Sequence, residues 1–484
     1  MDQNRPTIDR RSLLAGAGAI AALATLPRLL RAQNRSQVLV VGAGLSGLHA
    51  ALLLQEAGVD VRVIEGDSRV GGRVLSQREV PGNPESGGTS FSPGYARLMS
   101  ACASHGVELV DLTPTAQYFM QRDLYLGTER ISGEAWATHP KNPFPEPLKK
   151  IAPFQFLGAT IGPKNPLPTN DAWLEAAQAG LDIPLEDWLK GQGWTDAMIR
   201  MAYDIDPGWG NSARDVSTLM VLGALKFAQT QRELARGKPM FYTARGGNQS
   251  IPEAMARALK NPVEFGRKVV AIDSGKSGME VRCADGRKYR ADHVICSVPA
   301  TVLRRMKLSP ALSPVQAKAV REIGAQNITM LHVVPKTAFW EKDGSTPGMA
   351  SDGLINMVIA ERKGGDPKEV TSLTVWLKGL NAVKADKLGT QAAKAAVIAE
   401  FERLRPAAQG QLEVLAYHSW QQDEFSRGDW AVWHPGQITA FAHEIGKAQG
   451  RLHFCGEHTA VSNRGMEGAM ESGERAALEV LQSA

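Results

Sequence analysis

Cysteine is scarce in this 484-residue chain: Cys102, Cys283, Cys296 and Cys455 stand far apart, with no C-x-x-C pair and no metal-ligand spacing. That pattern excludes a disulfide framework and a cysteine-held metal centre. Buried free thiols are the default, with one alternative open, since Cys283 and Cys296 flank a turn and could meet across a hairpin. Long apolar runs are missing too. The N-terminal run from Leu13 to Leu26 spans about 14 residues, short of the roughly 20 that cross a bilayer. Nor is there a basic stripe. Of the formal charge of +5, five arginines against two aspartates in residues 1–31 supply +3, leaving about +2 for the remainder. Scattered charge of that size argues against a nucleic-acid partner. No internal repeat or low-complexity segment occurs.

What the chain does have is glycine, 48 residues of it. The apolar run Val38-Leu-Val-Val breaks into Gly42-Ala-Gly44-Leu-Ser46-Gly47, and Glu65 closes a second apolar run, Val59-Asp-Val-Arg-Val-Ile-Glu65. Strand, glycine turn, helix and acid together form a dinucleotide fingerprint. Gly42 allows the sharp turn, Gly44 the close approach of backbone to a pyrophosphate, and Gly47 the packing of helix on strand. Ser46 sits in the first turn of that helix, whose N-terminus faces the phosphates. Glu65 stands where a carboxylate accepts both ribose hydroxyls, which selects FAD or NAD over NADP. The next stretch, Gly66-Asp-Ser-Arg-Val-Gly71-Gly72-Arg73-Val74, resembles the second glycine motif of glutathione-reductase-type FAD enzymes. Its glycines permit another close backbone approach, and Arg73 offers paired donors to the pyrophosphate.

The expected fold class is α/β: a Rossmann-type, glutathione-reductase-like FAD-binding domain with a discontinuous mixed α+β substrate domain. A hydrophobic share of 43% suits a globular chain of this length. Asp9-Arg10-Arg11-Ser12-Leu13-Leu14 before the short apolar run resembles a twin-arginine export signal over residues 1–31. It implies a periplasmic or secreted protein, exported folded with its cofactor. The FAD-binding domain is expected in three parts, 36–95, 241–305 and 421–484. The substrate domain is expected in two, a helical part at 96–240 and a mixed part at 306–420. Strands are predicted within 263–272, 278–283 and 293–298, and a last helix from about Gly465 to Gln482.

At these residues the chain resembles the flavin-dependent amine oxidases of the monoamine oxidase type, over nearly everything after residue 36. The resemblance rests on Gly42 to Val74, Arg245-Gly246-Gly247, Val294 to Pro299, Trp420 to Gly436, and Phe454-Cys-Gly456-Glu457 through Met466-Glu-Gly-Ala to Ala477. It implies that Glu457, beside Gly456, lies near the ribityl chain. It also implies that the helix starting at Gly465 and Met466 points its N-terminus at the isoalloxazine, that Val269 contacts adenine through its backbone, and that Trp420 belongs to the cofactor site. Asp429 stands where mammalian members carry a flavin-linking cysteine, so FAD is expected to be noncovalent. The family's aromatic pair maps to Trp430 and Gly465, half a cage, as in the bacterial nicotine-oxidising members, with room for a bulkier or cyclic amine. Met330 takes the place of a lysine that promotes reaction with oxygen in many relatives. Oxygen or a periplasmic cytochrome c is therefore the expected electron acceptor.

Ser90 stands where L-amino acid oxidases hold the substrate carboxylate with arginine, which favours an amine without a carboxylate. Phe91, Trp209 and Tyr242 are further candidates for pocket walls. The expected reaction is hydride transfer from the carbon beside a substrate nitrogen to the flavin, giving an imine. The rivals are an L-amino acid oxidase or desaturase-like flavoenzyme and, in another class, a non-catalytic FAD-binding maturation factor. A homodimer stays open.

Overall fold

The computed structural model describes residues 37–483 apart from 120, 276–277 and 364–365. The twin-arginine segment lies outside these residues. The chain enters on strand β1 (Gln37–Val41), passes through helix α1 (Leu45–Glu56) and returns on β2 (Asp60–Ile64). All but the first residue of β1 are buried, as suits an inner parallel strand covered on both faces. Much later β3 (His293–Cys296) pairs with the other side of β1, and β4 (Leu452–Phe454) pairs with β3. The sheet order is therefore β4-β3-β1-β2, all parallel, and the strand order reverses direction beside β1. A crevice opens at the carboxyl ends of strands at such a point.

The closing helix α2 (Gly465–Ser483) packs against α1 at very short range. A β-carbon at Gly473 would lie 2.3 Å from the Ser46 carbonyl oxygen, and one at Gly47 would lie 2.1 Å from that of Gly42. The glycines are thus what lets strand, first helix and last helix stack into one layer around Leu48, Ala51, Met470 and Ala477.

Beneath the parallel sheet lies a smaller one, built from Val269–Gly275, Gly278–Cys283 and Lys288–Ala291, with Lys307–Ser309 at its edge. Val281 and Met279 meet Leu39, Val41 and Val294 in the core between the two sheets. The first predicted strand starts at Val269 rather than at 263, and Glu264 bridges to Ile64 instead. Cys283 and Cys296 are both buried free thiols, as are Cys102 and Cys455.

Residues 324–419 contribute most of a seven-stranded sheet ordered Leu412–Ser419, Ile328–Pro335, Ser372–Lys378, Met357–Glu361, Gly348–Ser351, Arg122–Leu126, Glu129–Ile131. The last two strands lie inside 96–240, a stretch that reads as helical with proline-rich connections. Their three to five residues are too short to show alternation; the first pairs with a strand more than 200 residues away, and the second only with the first, in a local hairpin. Residues 133–234 are otherwise helical, around a core in which Phe144 stacks on Phe156 with centroids 3.6 Å apart.

Candidate active site

The crevice at the end of β1 continues into a cleft of about 600 Å³ that runs from Glu65 to Trp430 and Arg464. At its first end Gly42 turns at φ +104°, a region open to glycine. The Ser297 hydroxyl lies 2.9 Å and 3.0 Å from the Val41 and Gly42 carbonyls, pinning the end of β1. The two glycine motifs are zipped together, with the Gly71 N–H donating to the Ala43 carbonyl at 2.9 Å. Glu65 is buried and accepts the N–H groups of Ala43 at 2.7 Å and Asp67 at 2.9 Å. Burial pushes its carboxyl up, opposed by those backbone donors.

At the far end Glu457 accepts from Arg73 Nη1 at 2.7 Å and from the Ala431 N–H at 3.0 Å. Burial raises its pKa, but Arg73, His458 and Arg464 outweigh burial and hold it below the ordinary carboxylate value. Arg73 also donates to the Asp429 carbonyl at 2.5 Å. It therefore commits one end of its fork to the Glu457 end of the cleft, rather than offering the whole of it to a pyrophosphate. Arg69 donates to the Gly72 carbonyl at 2.7 Å and so supports the glycine turn itself. Burial pushes the Asp429 carboxyl up to about 7, against the pull of Arg73 and Arg464.

Of the expected site residues, Gly42, Gly44, Ser46, Glu65, Gly66, Gly72, Arg73, Val269, Trp430, Gly456, Glu457, Gly465 and Met466 all line this one cleft. Three expected members do not. Gly47 faces the strand, where its missing side chain admits the Gly42 carbonyl. Trp420 is wholly buried and donates its indole N–H to the Ser86 carbonyl, one layer beneath the cleft. Met330 is wholly buried beside Trp376 and Trp420, so its side chain reaches no reacting group. A position in a motif does not show how deep a side chain lies: Trp420 follows the strand Leu412–Ser419, and Met330 sits in a strand buried on both faces. Of the candidate walls, Phe91 and Tyr242 pack in the core near α1, and Tyr95 lines the cleft instead.

The cleft fits a flavin dinucleotide on observations of this chain. A β-carbon at Gly44 or at Gly465 would meet no atom within 4 Å, so both glycines border open space. The buried Oε2 of Glu457 and the indole N–H groups of Trp376 and Trp430 lack hydrogen-bond partners within the protein. α2 begins at the cleft, and its first-turn acid turns away, Glu467 accepting from the Arg97 and Leu98 N–H groups. The N-terminal partial positive charge is thus left facing the cleft.

One feature lies outside the expected site. The Arg464 guanidinium carbon sits 4.6 Å from the centroid of Trp430 and 4.8 Å from that of Trp209. The Trp430 ring, expected to face an uncharged half-cage, thus has a cation against it, while the space at Gly465 itself stays open. Arg464 directly precedes Gly465, but nothing in the motif signals where a side chain at that position turns.

The family model of flavin containing amine oxidoreductases matches residues 45–481. The chain is 26% identical over 476 residues to a flavin-containing amine oxidase of Danio rerio, covering 93% of this chain and 86% of that protein. It is 24% identical over 485 residues to flavin-containing amine oxidase B of Homo sapiens, covering 93% and 87%. Among solved structures it resembles cyclohexylamine oxidase from Brevibacterium oxydans, with TM-score 0.74, 20% identity, and coverage of 93% of this chain and 99% of that one. A redesigned putrescine oxidase gives TM-score 0.72 at 22% identity with the same coverage. Since the family match takes in nearly every described residue, including all of the cleft lining from Leu45 onward, the chain belongs to the flavin-containing amine oxidoreductases.

Proposed function

We propose that the protein is an exported enzyme that uses noncovalent FAD to oxidise a C–N bond of a small amine to the imine, with oxygen or a periplasmic cytochrome c taking the electrons. The observation that carries this reading is the single cleft joining both glycine motifs to Trp430 and Arg464, inside a chain of this family. When bound, the flavin supplies a hydride acceptor for the carbon beside the nitrogen. The chain's own residues do the positioning. Glu65 and the glycine turns would hold the adenosine and pyrophosphate. Glu457, tied to Arg73, would hold the ribityl end, and Trp430 would orient the substrate's C–H bond.

No side chain needs to remove a proton from carbon in this scheme. What the cleft must do is keep the substrate nitrogen neutral, since a free amine has a pKa near 10. A largely apolar cleft bearing the Arg464 cation disfavours the ammonium form on both counts, desolvation and like charge. The rate is therefore expected to rise with pH. Noncovalent flavin is favoured by the thiols: no cysteine lines the cleft among the described residues, and burial pushes Cys455 up to about 12 and Cys296 to about 11.

The test is anaerobic mixing of the yellow protein with a panel of amines, followed by oxygen or cytochrome c. Bleaching by an amine, then recovery of the yellow, is expected. Persistent yellow with every amine would leave the non-catalytic reading. Export is tested separately. Replacing Arg10 and Arg11 by lysine is expected to keep the protein in the cytoplasm on cell fractionation, because the twin-arginine pair is the signal's recognition element.

A further inference from the structure

We propose that Arg464 is the anchor for a carboxylate of the substrate, so that the amine oxidised here is an amino acid or a similar amine bearing an acid group. The inference rests on the amine-oxidising reading above and names its substrate class. It reverses the expectation drawn from Ser90, because the cation comes from a different element, the residue just before α2.

The geometry is that of a prepared anion site. Trp430 and Trp209 bring their rings to the guanidinium at 4.6 Å and 4.8 Å, where attraction to the rings holds the cation without using its N–H donors. Arg464 makes no hydrogen bond and no ion pair within 4.0 Å among the described residues, and its buried Nε has no partner. A buried guanidinium with no ion-pair partner is costly unless something completes it.

Among the described residues no acid comes within ion-pair distance of Arg464, although Glu457 and Asp429 both act on it through space. Glu457 is paired with Arg73 at 2.7 Å, and Asp429 stands beyond ion-pair distance from Arg464. The Tyr203 hydroxyl donates to the Trp209 carbonyl at 2.7 Å and so holds that ring's backbone rather than the cation. Arg97, which packs against the first turns of α2, is spent on Glu467 and Glu474. The α2 N-terminus adds positive potential on the same side as Arg464. A planar carboxylate matches the free edge of a guanidinium with two parallel hydrogen bonds. A substrate lacking the carboxylate would leave the cation unpaired in the filled cleft.

The test uses the holoenzyme, wild type and Arg464→Met, with Arg464→Lys as the charge-keeping variant. Flavin content and melting temperature check that each folds. Two measurements are made: binding of benzoate, a carboxylate without an amine, read by perturbation of the flavin spectrum, and anaerobic bleaching by amino acids against their decarboxylated amines. Benzoate is expected to bind the wild type and to bind Arg464→Met about 30-fold or more weakly, as for loss of one partner of a desolvated charge pair. Arg464→Lys should recover part of that loss. An amino acid is expected to bleach the wild type faster than its decarboxylated amine, with the order reversed in Arg464→Met. Equal preference in wild type and Arg464→Met overturns the anchor while leaving amine oxidation standing. No bleaching with any compound, together with benzoate binding lost in Arg464→Met, upholds the anion site and overturns amine oxidation. Absence of benzoate binding to the wild type overturns the inference whatever the flavin does.

Discussion

At the scale of single residues the cleft is governed by charges that burial makes expensive. Asp429 is held near 7 by desolvation, against an ordinary carboxyl near 4. Its folded value is raised, so the folded state binds the proton more tightly than the unfolded chain. That contribution to stability is complete below about pH 4 and is lost as pH rises toward 7, at roughly 1.4 kcal/mol per pH unit. Asp429→Asn mimics the neutral acid, so it is expected to raise the melting temperature at pH 7.5 and to change it little at pH 4.5. Glu457 has the opposite sign, a buried carboxylate kept ionised by Arg73, His458 and Arg464. Glu457→Gln keeps a hydrogen-bond acceptor but removes the charge that balances those cations. The cost is on the order of 1.5–3 kcal/mol, that of a hydrogen bond to a charged group. It should appear as flavin lost on gel filtration, read from the ratio of yellow absorbance to protein.

At the scale of elements, the glycines divide into those that serve packing and those that border the cleft. Their spacing in the fingerprint was legible in the sequence, because strand, turn and helix impose local steric demands that only glycine meets. Gly47 and Gly473 face backbone carbonyls at 2.1 Å and 2.3 Å from where a β-carbon would stand, and carbonyls cannot move aside as a flexible side chain can. Gly44 meets nothing. Gly47→Ala and Gly473→Ala are therefore expected to lower the melting temperature of the flavin-free protein, by the 1–3 kcal/mol or so that overpacking costs. Gly44→Ala should melt like the parent yet bind FAD at least about tenfold more weakly, measured by fluorescence titration. If Gly44→Ala were the destabilised one, the assignment of the pyrophosphate turn would be wrong. Trp420 and Met330 show the limit of such reading. Both side chains pack in one buried cluster, and only the tertiary packing around that cluster decides it.

At the scale of the whole molecule, the cleft is assembled from pieces at 41–74, 87–95, 267–306, 376, 423–430 and 456–469. A ligand that touches all of them should stabilise the chain globally, by about 2.7 kcal/mol at a hundredfold excess over its dissociation constant. FAD is expected to raise the melting temperature and to slow proteolysis, because it bridges these separate pieces of the chain. Acid precipitation of the yellow protein should leave the colour in the supernatant. Colour retained in the pellet would show a covalent link and contradict Asp429 as its replacement.

The nucleotide-binding half was determined by the sequence alone, since its glycines and Glu65 act through backbone geometry within about 30 residues of one another. The substrate half was decided by tertiary structure. The strand at 122–126 finds its partner at 348–351, and Trp209 meets Trp430 and Arg464 from more than 200 residues away. Local sterics leave a signature in neighbouring letters, whereas a cation set between two indole rings exists only once the chain has closed around it.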